Sequence, residues 1–196
     1  MNIPSWTYKT ATVNNLEKIQ QELKPLVEKY VPACFDGTQT PMSEFIPLTK
    51  EEVTSYSPTY VDMIKSTGFF DRWDISLLAT ASKLASNIPV IHIDHVDPEQ
   101  RVCGLNIPLF NCEGTYTVWY DATIEYAPII ADHPDLTSAR TIKYDLPYTE
   151  IDRLDASTPA WVNVSIPHRP YSEREDTRVI ISARFIPELH EYFEKL

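Results

Sequence analysis

Residues 103–121, CGLNIPLFNCEGTYTVWYD, set two short apolar runs on either side of a turn. The runs 103–109 and 115–121 are rich in β-branched, aromatic and other apolar residues, and Asn111 and Gly114 lie between them. Short runs of this kind, bounded by Gly, Pro, Asn or Asp, read as strands. The pattern extends outward to segments 88–94, 122–127, 140–146, 160–166 and 177–185. From about residue 74 onward the chain is therefore expected to be strand-rich, with about eight strands. Upstream the period changes. Leu16, Ile19, Leu23, Leu26, Val27 and Tyr30 recur at helical spacing, which predicts an amphipathic helix over 13–30 with Pro25 as a potential kink. Thr49 followed by Glu51 and Glu52 is a helix-start signal, Pro58 interrupts it, and 59–66 and 187–196 read as further short helices.

Helices first and strands after predict an α+β, mainly-β fold: a jelly-roll (double-stranded β-helix) core with N-terminal helices buttressing one sheet. A chain of 196 residues suits one domain. The expected division is a helical preface over 1–75, the core over 76–186 and a closing helix over 187–196. A small-molecule site is expected at the barrel mouth.

Composition narrows the function classes. The net charge is −11 and the pI about 4.8, a poor match for nucleic acid or an anionic membrane. Four glycines against sixteen prolines, with no Gly-x-Gly-x-x-Gly or Walker pattern, argue against a phosphate-cradling loop. Three cysteines, Cys34, Cys103 and Cys112, suggest no disulfide framework. There is no signal-like N-terminus and no apolar run of membrane-spanning length, so a cytoplasmic setting is expected.

The chemistry lies in three residues: His92 and Asp94 in Ile91-His92-Ile93-Asp94, and His168 after Ile166-Pro167, with 73 residues between Asp94 and His168. Alternate side chains of a strand share a face, so His92 and Asp94 point together and Ile93 points away. His168 is expected to close the run 161–167, where a barrel brings a distant strand end to the same place. Two imidazoles and a carboxylate on one face of a metal leave three positions open, the ligand set of non-haem Fe(II) oxygenases. On these residues alone, a strand-end His92 bonded to Asp94, with His168 in a surface turn, stands beside the metal reading. Two arginines add a second signal. Arg101 lies nine residues after His92, and Arg178 lies ten after His168 and opens the strand 178–185. The planar fork of an Arg at that strand can hold a carboxylate bidentately inside the barrel.

The stretches 92–120 and 159–185 together resemble Fe(II)/2-oxoglutarate-dependent oxygenases, and within them the aspartyl/asparaginyl β-hydroxylase-like branch. The resemblance rests on His92-x-Asp94, Arg101, Leu105-Asn106-Ile107-Pro108-Leu109, Trp119-Tyr120, Pro159-Ala160-Trp161-Val162-Asn163, Pro167-His168, Arg178, Ser182 and Phe185. It implies that His92, Asp94 and His168 bind iron, that Arg178 binds the 5-carboxylate of 2-oxoglutarate, and that Arg101 helps bind the co-substrate. Ser182 would add a hydroxyl to the 5-carboxylate site. The implied reaction consumes O2 and 2-oxoglutarate, releases succinate and CO2, and hydroxylates a peptide or protein side chain or a small molecule. The loop His168-Arg169-Pro170-Tyr171-Ser172 departs from the family, many of whose members carry an apolar residue and an Asn soon after the distal His.

Other residues invite plainer readings. Asn106 and Asn163, on barrel strands, either bond the co-substrate or a ligand or satisfy backbone. Trp119 and Tyr120 are adjacent, so only one faces the barrel interior. His95 points away from the ligands by strand alternation, and His133 and His190 read as surface residues. Cys103 and Cys112 with His92 and His95 form an unfamiliar zinc spacing; buried thiols are the plainer expectation. Two alternatives from other classes are a non-catalytic jelly-roll binding or viral assembly module, and a cupin-like metalloenzyme that does not use 2-oxoglutarate. The first would be marked by loss of a triad member or the carboxylate Arg, and all are present. The second would leave Arg178 without a task.

Overall fold

The computed structural model describes residues 6–40, 43–87, 91–94, 103–122, 127–128, 140–141 and 147–185. Strand β1 (Tyr8–Thr10) precedes helix α1 (Leu16–Tyr30) and the single turn α2 (Ala33–Asp36). Then come β2 (Phe45–Leu48), α3 (Lys50–Tyr56), α4 (Pro58–Ser66), β3 (Trp73–Ala81) and the short α5 (Lys83–Ser86). The rest is strand: β4 (His92–Ile93), β5 (Cys103–Phe110), β6 (Thr115–Ala122), β7 (Ala127–Pro128), β8 (Arg140–Thr141), β9 (Tyr148–Asp155), β10 (Ala160–Asn163), β11 (His168–Ser172) and β12 (Arg178–Phe185). They form two six-stranded sheets, ordered β1-β10-β5-β12-β3-β2 and β7-β8-β4-β11-β6-β9. Every pairing is antiparallel. The mainly-β, jelly-roll expectation holds.

The helices form where the apolar residues fall on one side. In α1, Ile19, Leu23, Leu26 and Val27 are all buried, and the helix runs through Pro25 to Tyr30. The Thr49 hydroxyl accepts the Glu52 amide at 3.1 Å, capping α3. Ser57 does the same for the Tyr60 amide, with Pro58 in the first turn of α4. Pro58 thus starts a helix as well as ending one, because its missing N–H is one that a first turn leaves unpaired anyway. Residues of α1, α3 and α4 pack on one face of the first sheet in a single apolar cluster.

Strand β12 shows what that packing does to the sheet. All eight of its residues are buried, between β5 and β3. Val179, Ile181, Ala183 and Phe185 join the helix-backed cluster. Arg178, Ile180, Ser182 and Arg184 line a cavity on the other face, shared with His92, Thr117 and His168 of the second sheet. A period of two thus separates an apolar side from a polar lumen along one strand.

The structure adds strands that periodicity did not announce. β1 and β2 have three and four residues, too few to show alternation, and both are edge strands drawn from the first 75 residues. β3 is almost continuously buried from Ser76 onward, a run that strand and helix share at sequence level. β9 is an exposed acidic edge. β11 contains Pro170, which argues against a strand; it nevertheless pairs β6 from His168 to Ser172, with Pro170 opposite Thr117. The run expected over 160–166 ends as a strand at Asn163, and His168 opens β11 instead of closing the strand before it. Ala122 belongs to β6, and the segment expected at 187–196 lies outside the described residues. Among the described residues no helix is long and apolar enough to cross a membrane.

The two-faced packing predicts a contrast. Ile181→Ala, which empties a fully buried site, should lower unfolding free energy by about 2–5 kcal/mol in urea titration. Ile151→Ala on β9, half exposed, should change it by less than about 0.5 kcal/mol.

Candidate metal centre

His92, Asp94 and His168 come together because of one strand pairing. β4 and β11 run antiparallel with His92 directly opposite His168. Cross-strand partners share a face at close range, and the two imidazole centroids are 4.6 Å apart. Asp94 lies two residues beyond His92 and so returns to the same face. Its backbone N–H donates to the Val164 carbonyl at 3.1 Å, which ties it to the turn that delivers His168. Asp94 Oδ1 lies 3.5 Å from His92 Nε2 and 3.6 Å from His168 Nε2. One ligand atom from each residue lies within 4.8 Å of the others, a group able to hold a metal ion.

The histidine electronics fit that use. His168 Nδ1 is 2.8 Å from the Ile166 carbonyl, so Nδ1–H donates there and Nε2 keeps its lone pair toward Asp94 and His92. Burial, and then the neighbouring His92, push the His168 pKa down to about 4. A neutral imidazole is the form that ligates a metal. Phe45 meets the His92 ring edge-on at 5.9 Å.

Arg178, on the same cavity, is 1 % exposed, and its Nε and Nη1 have no hydrogen-bond partner among the described residues. Burial pushes its pKa down from the ordinary guanidinium value, yet an arginine stays charged in a protein. An uncompensated buried cation is costly unless an anion joins it. Ser182 and Asn106, opposite each other on β12 and β5, also face the cavity, and the Ser182 hydroxyl donates to Asn106 Oδ1 at 2.6 Å. Arg101 lies outside the described residues, as do His95, His133 and His190.

Two residues of this site escaped sequence reasoning. Arg184 Nη2 lies 3.0 Å from Asp94 Oδ2. Gly104 faces Arg184 across the β5–β12 ladder, and a Cβ there would meet Arg184 Nη1 at 2.4 Å. The signal for Arg184 was present: it lies six residues after Arg178 on one strand, and so on the same face.

Other candidates have structural duties. The Asn163 side chain is satisfied by the Trp6 carbonyl and the Ser165 amide. Trp119 is the inward member of its pair, fully buried between the sheets with its Nε1–H on the Asn163 carbonyl. Tyr120 sits in the outward cluster with Ile91 and Val118. Cys34, Cys103 and Cys112 are buried free thiols, and burial pushes each one's pKa up. Cys103 packs in the helix-backed core, on the opposite face of β5 from the lumen. An open cleft by Gln20 and Glu113 also contains Arg174, which is already paired with Asp176.

No family model matches the sequence, and no curated protein matches it. Solved structures match its fold. The non-haem alpha-ketoglutarate-dependent carbocyclase SnoK from nogalamycin biosynthesis superimposes with a TM-score of 0.52 at 9% identity, over 92% of this chain and 78% of that one. The fold is the double-stranded β-helix of the 2-oxoglutarate oxygenases. A Pseudomonas putida prolyl-4-hydroxylase aligns over 94% of both chains with a TM-score of 0.46 and 9% identity. The E. coli protein ycfD aligns over 81% of this chain, with a TM-score of 0.44 and 15% identity, and this chain spans only 38% of its length. At these identities the likeness is one of fold, and the chemistry rests on the side chains: the His-Asp-His triad is consistent with iron and 2-oxoglutarate binding.

The depressed His168 pKa fixes a pH dependence for the metal-free protein. The unfolded chain takes up its proton near the ordinary His value of about 6.5, the folded protein only near about 4. Between these values the unfolded state binds more protons, so stability is intact above the upper value and declines as pH falls toward the lower. Urea midpoints measured across this window should show that decline, and His168→Asn should remove its part of the slope.

Proposed function

We propose that this protein is an Fe(II)- and 2-oxoglutarate-dependent oxygenase that hydroxylates a C–H bond of a peptide or protein side chain or a small molecule. His92, Asp94 and His168 hold the iron, and Arg178 binds the far carboxylate of 2-oxoglutarate. The observation that carries this reading is the buried Arg178 guanidinium, whose Nε and Nη1 have no hydrogen-bond partner among the described residues, on the cavity that His92 and His168 line. A metal site alone fits many chemistries; a metal site beside a buried guanidinium that finds no carboxylate among the described residues fits an anionic co-substrate.

The residues divide the work. The two imidazoles and Asp94 would hold the metal with three protein ligands, which would leave positions for the co-substrate and O2. The Ile166 carbonyl fixes the His168 ring with Nε2 available. Arg178 supplies a charge that burial has already stripped of water, so little reorganisation accompanies carboxylate binding. Ser182 and Asn106 offer a hydroxyl and an amide beside that position. Phe45, Ala79, Val162, Val164 and Ile180 form apolar wall that excludes water. Bound iron supplies the O2 activation that C–H oxygenation needs. One O2, one 2-oxoglutarate and one C–H bond are consumed; succinate, CO2 and an alcohol leave. We place the chain nearest the aspartyl/asparaginyl β-hydroxylase-like branch, with Arg101 as a second co-substrate contact, on the spacing of Arg101 from His92 and Arg178 from His168.

Anaerobic titration with Fe(II) and 2-oxoglutarate tests the reading. The visible metal-to-ligand charge-transfer band of the chelate should appear with the wild type and be absent in His168→Ala. No band with the wild type would sink the proposal. Arg178→Met should weaken 2-oxoglutarate by about 10- to 100-fold, the worth of a charge-assisted hydrogen bond, and leave Fe(II) affinity close to wild type. It should also raise the melting temperature of the ligand-free protein, because it removes a buried charge that has no partner for Nε or Nη1 among the described residues.

A further inference from the structure

Arg184 has a placement that co-substrate binding does not explain. It lies on the lumen face of β12, six residues from Arg178, and is 9 % exposed. Its Nη2 holds Asp94 Oδ2 at 3.0 Å, while the other carboxylate oxygen, Oδ1, is the one turned to both imidazoles. The two oxygens of Asp94 therefore have separate partners. A carboxylate free to rotate can chelate a metal through both oxygens or swing between them; one whose outer oxygen is pinned offers only the inner one. The pinning group is charged and buried, which makes its hold stronger than a neutral hydrogen bond in water.

The backbone opposite has been shaped for it. Gly104 pairs with Arg184 on one side and with Val162 on the other, in the interior of the first sheet. A Cβ at Gly104 would approach Arg184 Nη1 to 2.4 Å, and Ser182 Oγ and Val162 Cγ2 to 3.1 Å each. Glycine in the interior of a strand marks a close approach, and here the approaching group is the Arg184 guanidinium.

We propose that Arg184 is a positioning residue for the metal centre: it pins Asp94 Oδ2 so that Oδ1 alone meets the metal, and Gly104 provides the space that lets it do so. The inference rests on the metal-centre reading above. Pinning one oxygen keeps the coordination count low and leaves open the positions that co-substrate and O2 require.

Co(II) is the probe, since its visible d–d bands report coordination number and ligand geometry without turnover. Two variants separate charge from position. Arg184→Gln removes the charge and keeps a donor. Gly104→Ala keeps the charge and displaces the guanidinium, the flexible end of its side chain. Both should weaken Co(II) by about 10- to 100-fold, the usual effect of losing a group that orients a ligand. Both should also alter the d–d spectrum and shrink the rise in melting temperature that Co(II) produces. If both variants bind Co(II) with wild-type affinity and spectrum, Arg184 does not position Asp94, even if the metal-free protein is less stable. If Arg184→Gln does not fold, Gly104→Ala decides on the same measurements. Wild-type protein that binds no Co(II) overturns the metal-centre reading itself, a result distinct from wild-type binding that the variants leave unchanged.

Discussion

Strand β12 is buried along its whole length, and its two faces meet opposite surroundings. One face gives Val179, Ile181, Ala183 and Phe185 to the core beneath the helices. The other gives Arg178, Ser182 and Arg184 to the lumen. A slip of one residue would drive two arginines into an apolar core and push the apolar residues into the lumen. Burying an unpaired charge there costs far more than any local contact could return, so the register of β12 is set by what its side chains cannot tolerate. Pairing with β5 and β3 on both sides then carries that register across the first sheet.

The second sheet brings the candidate metal ligands together. β4 is only two residues long among the described residues, yet its pairing with β11 sets His92 against His168. Asp94 then needs only strand periodicity and one backbone bond to Val164 to reach them. The charges of the lumen are arranged unequally. Arg184 answers Asp94, whereas Arg178 has no hydrogen-bond partner for Nε or Nη1 among the described residues. The same type of side chain, twice on one face of one strand, thus makes one ion pair, through Arg184 Nη2, and leaves Arg184 Nη1 and Arg178 Nε and Nη1 without a hydrogen-bond partner among the described residues. The net charge of −11 across the chain says nothing of this local excess of positive charge, because the lumen is buried and its field is set by nearby groups.

Much of this was legible before folding, for reasons that can be assigned residue by residue. His92 and Asp94 are two apart, and a strand turns that spacing into a shared face. Arg178 opens a run of apolar residues long enough to read as a strand with confidence in its alternation. β11 was harder, because Pro170 sits inside it and a proline argues against a strand in sequence, yet β11 pairs β6 along its whole length. β1 and β2 were invisible because three- and four-residue edge strands are made by their neighbours, not by their own pattern. His168 could be recognised as a candidate ligand but not placed, since whether it closes one strand or opens the next depends on the turn after Asn163.

The sequence by itself determined the periodicities: a helical apolar stripe in α1, strand alternation in β12, and the local pairing of His92 with Asp94. These depend on neighbours in the chain, whose geometry is nearly constant within an element. Only the tertiary structure decided the encounters: His168 opposite His92, Arg184 on Asp94, and Gly104 beneath Arg184. Each joins residues distant in the chain, through ladders whose register follows from burying one face of β12 and not the other.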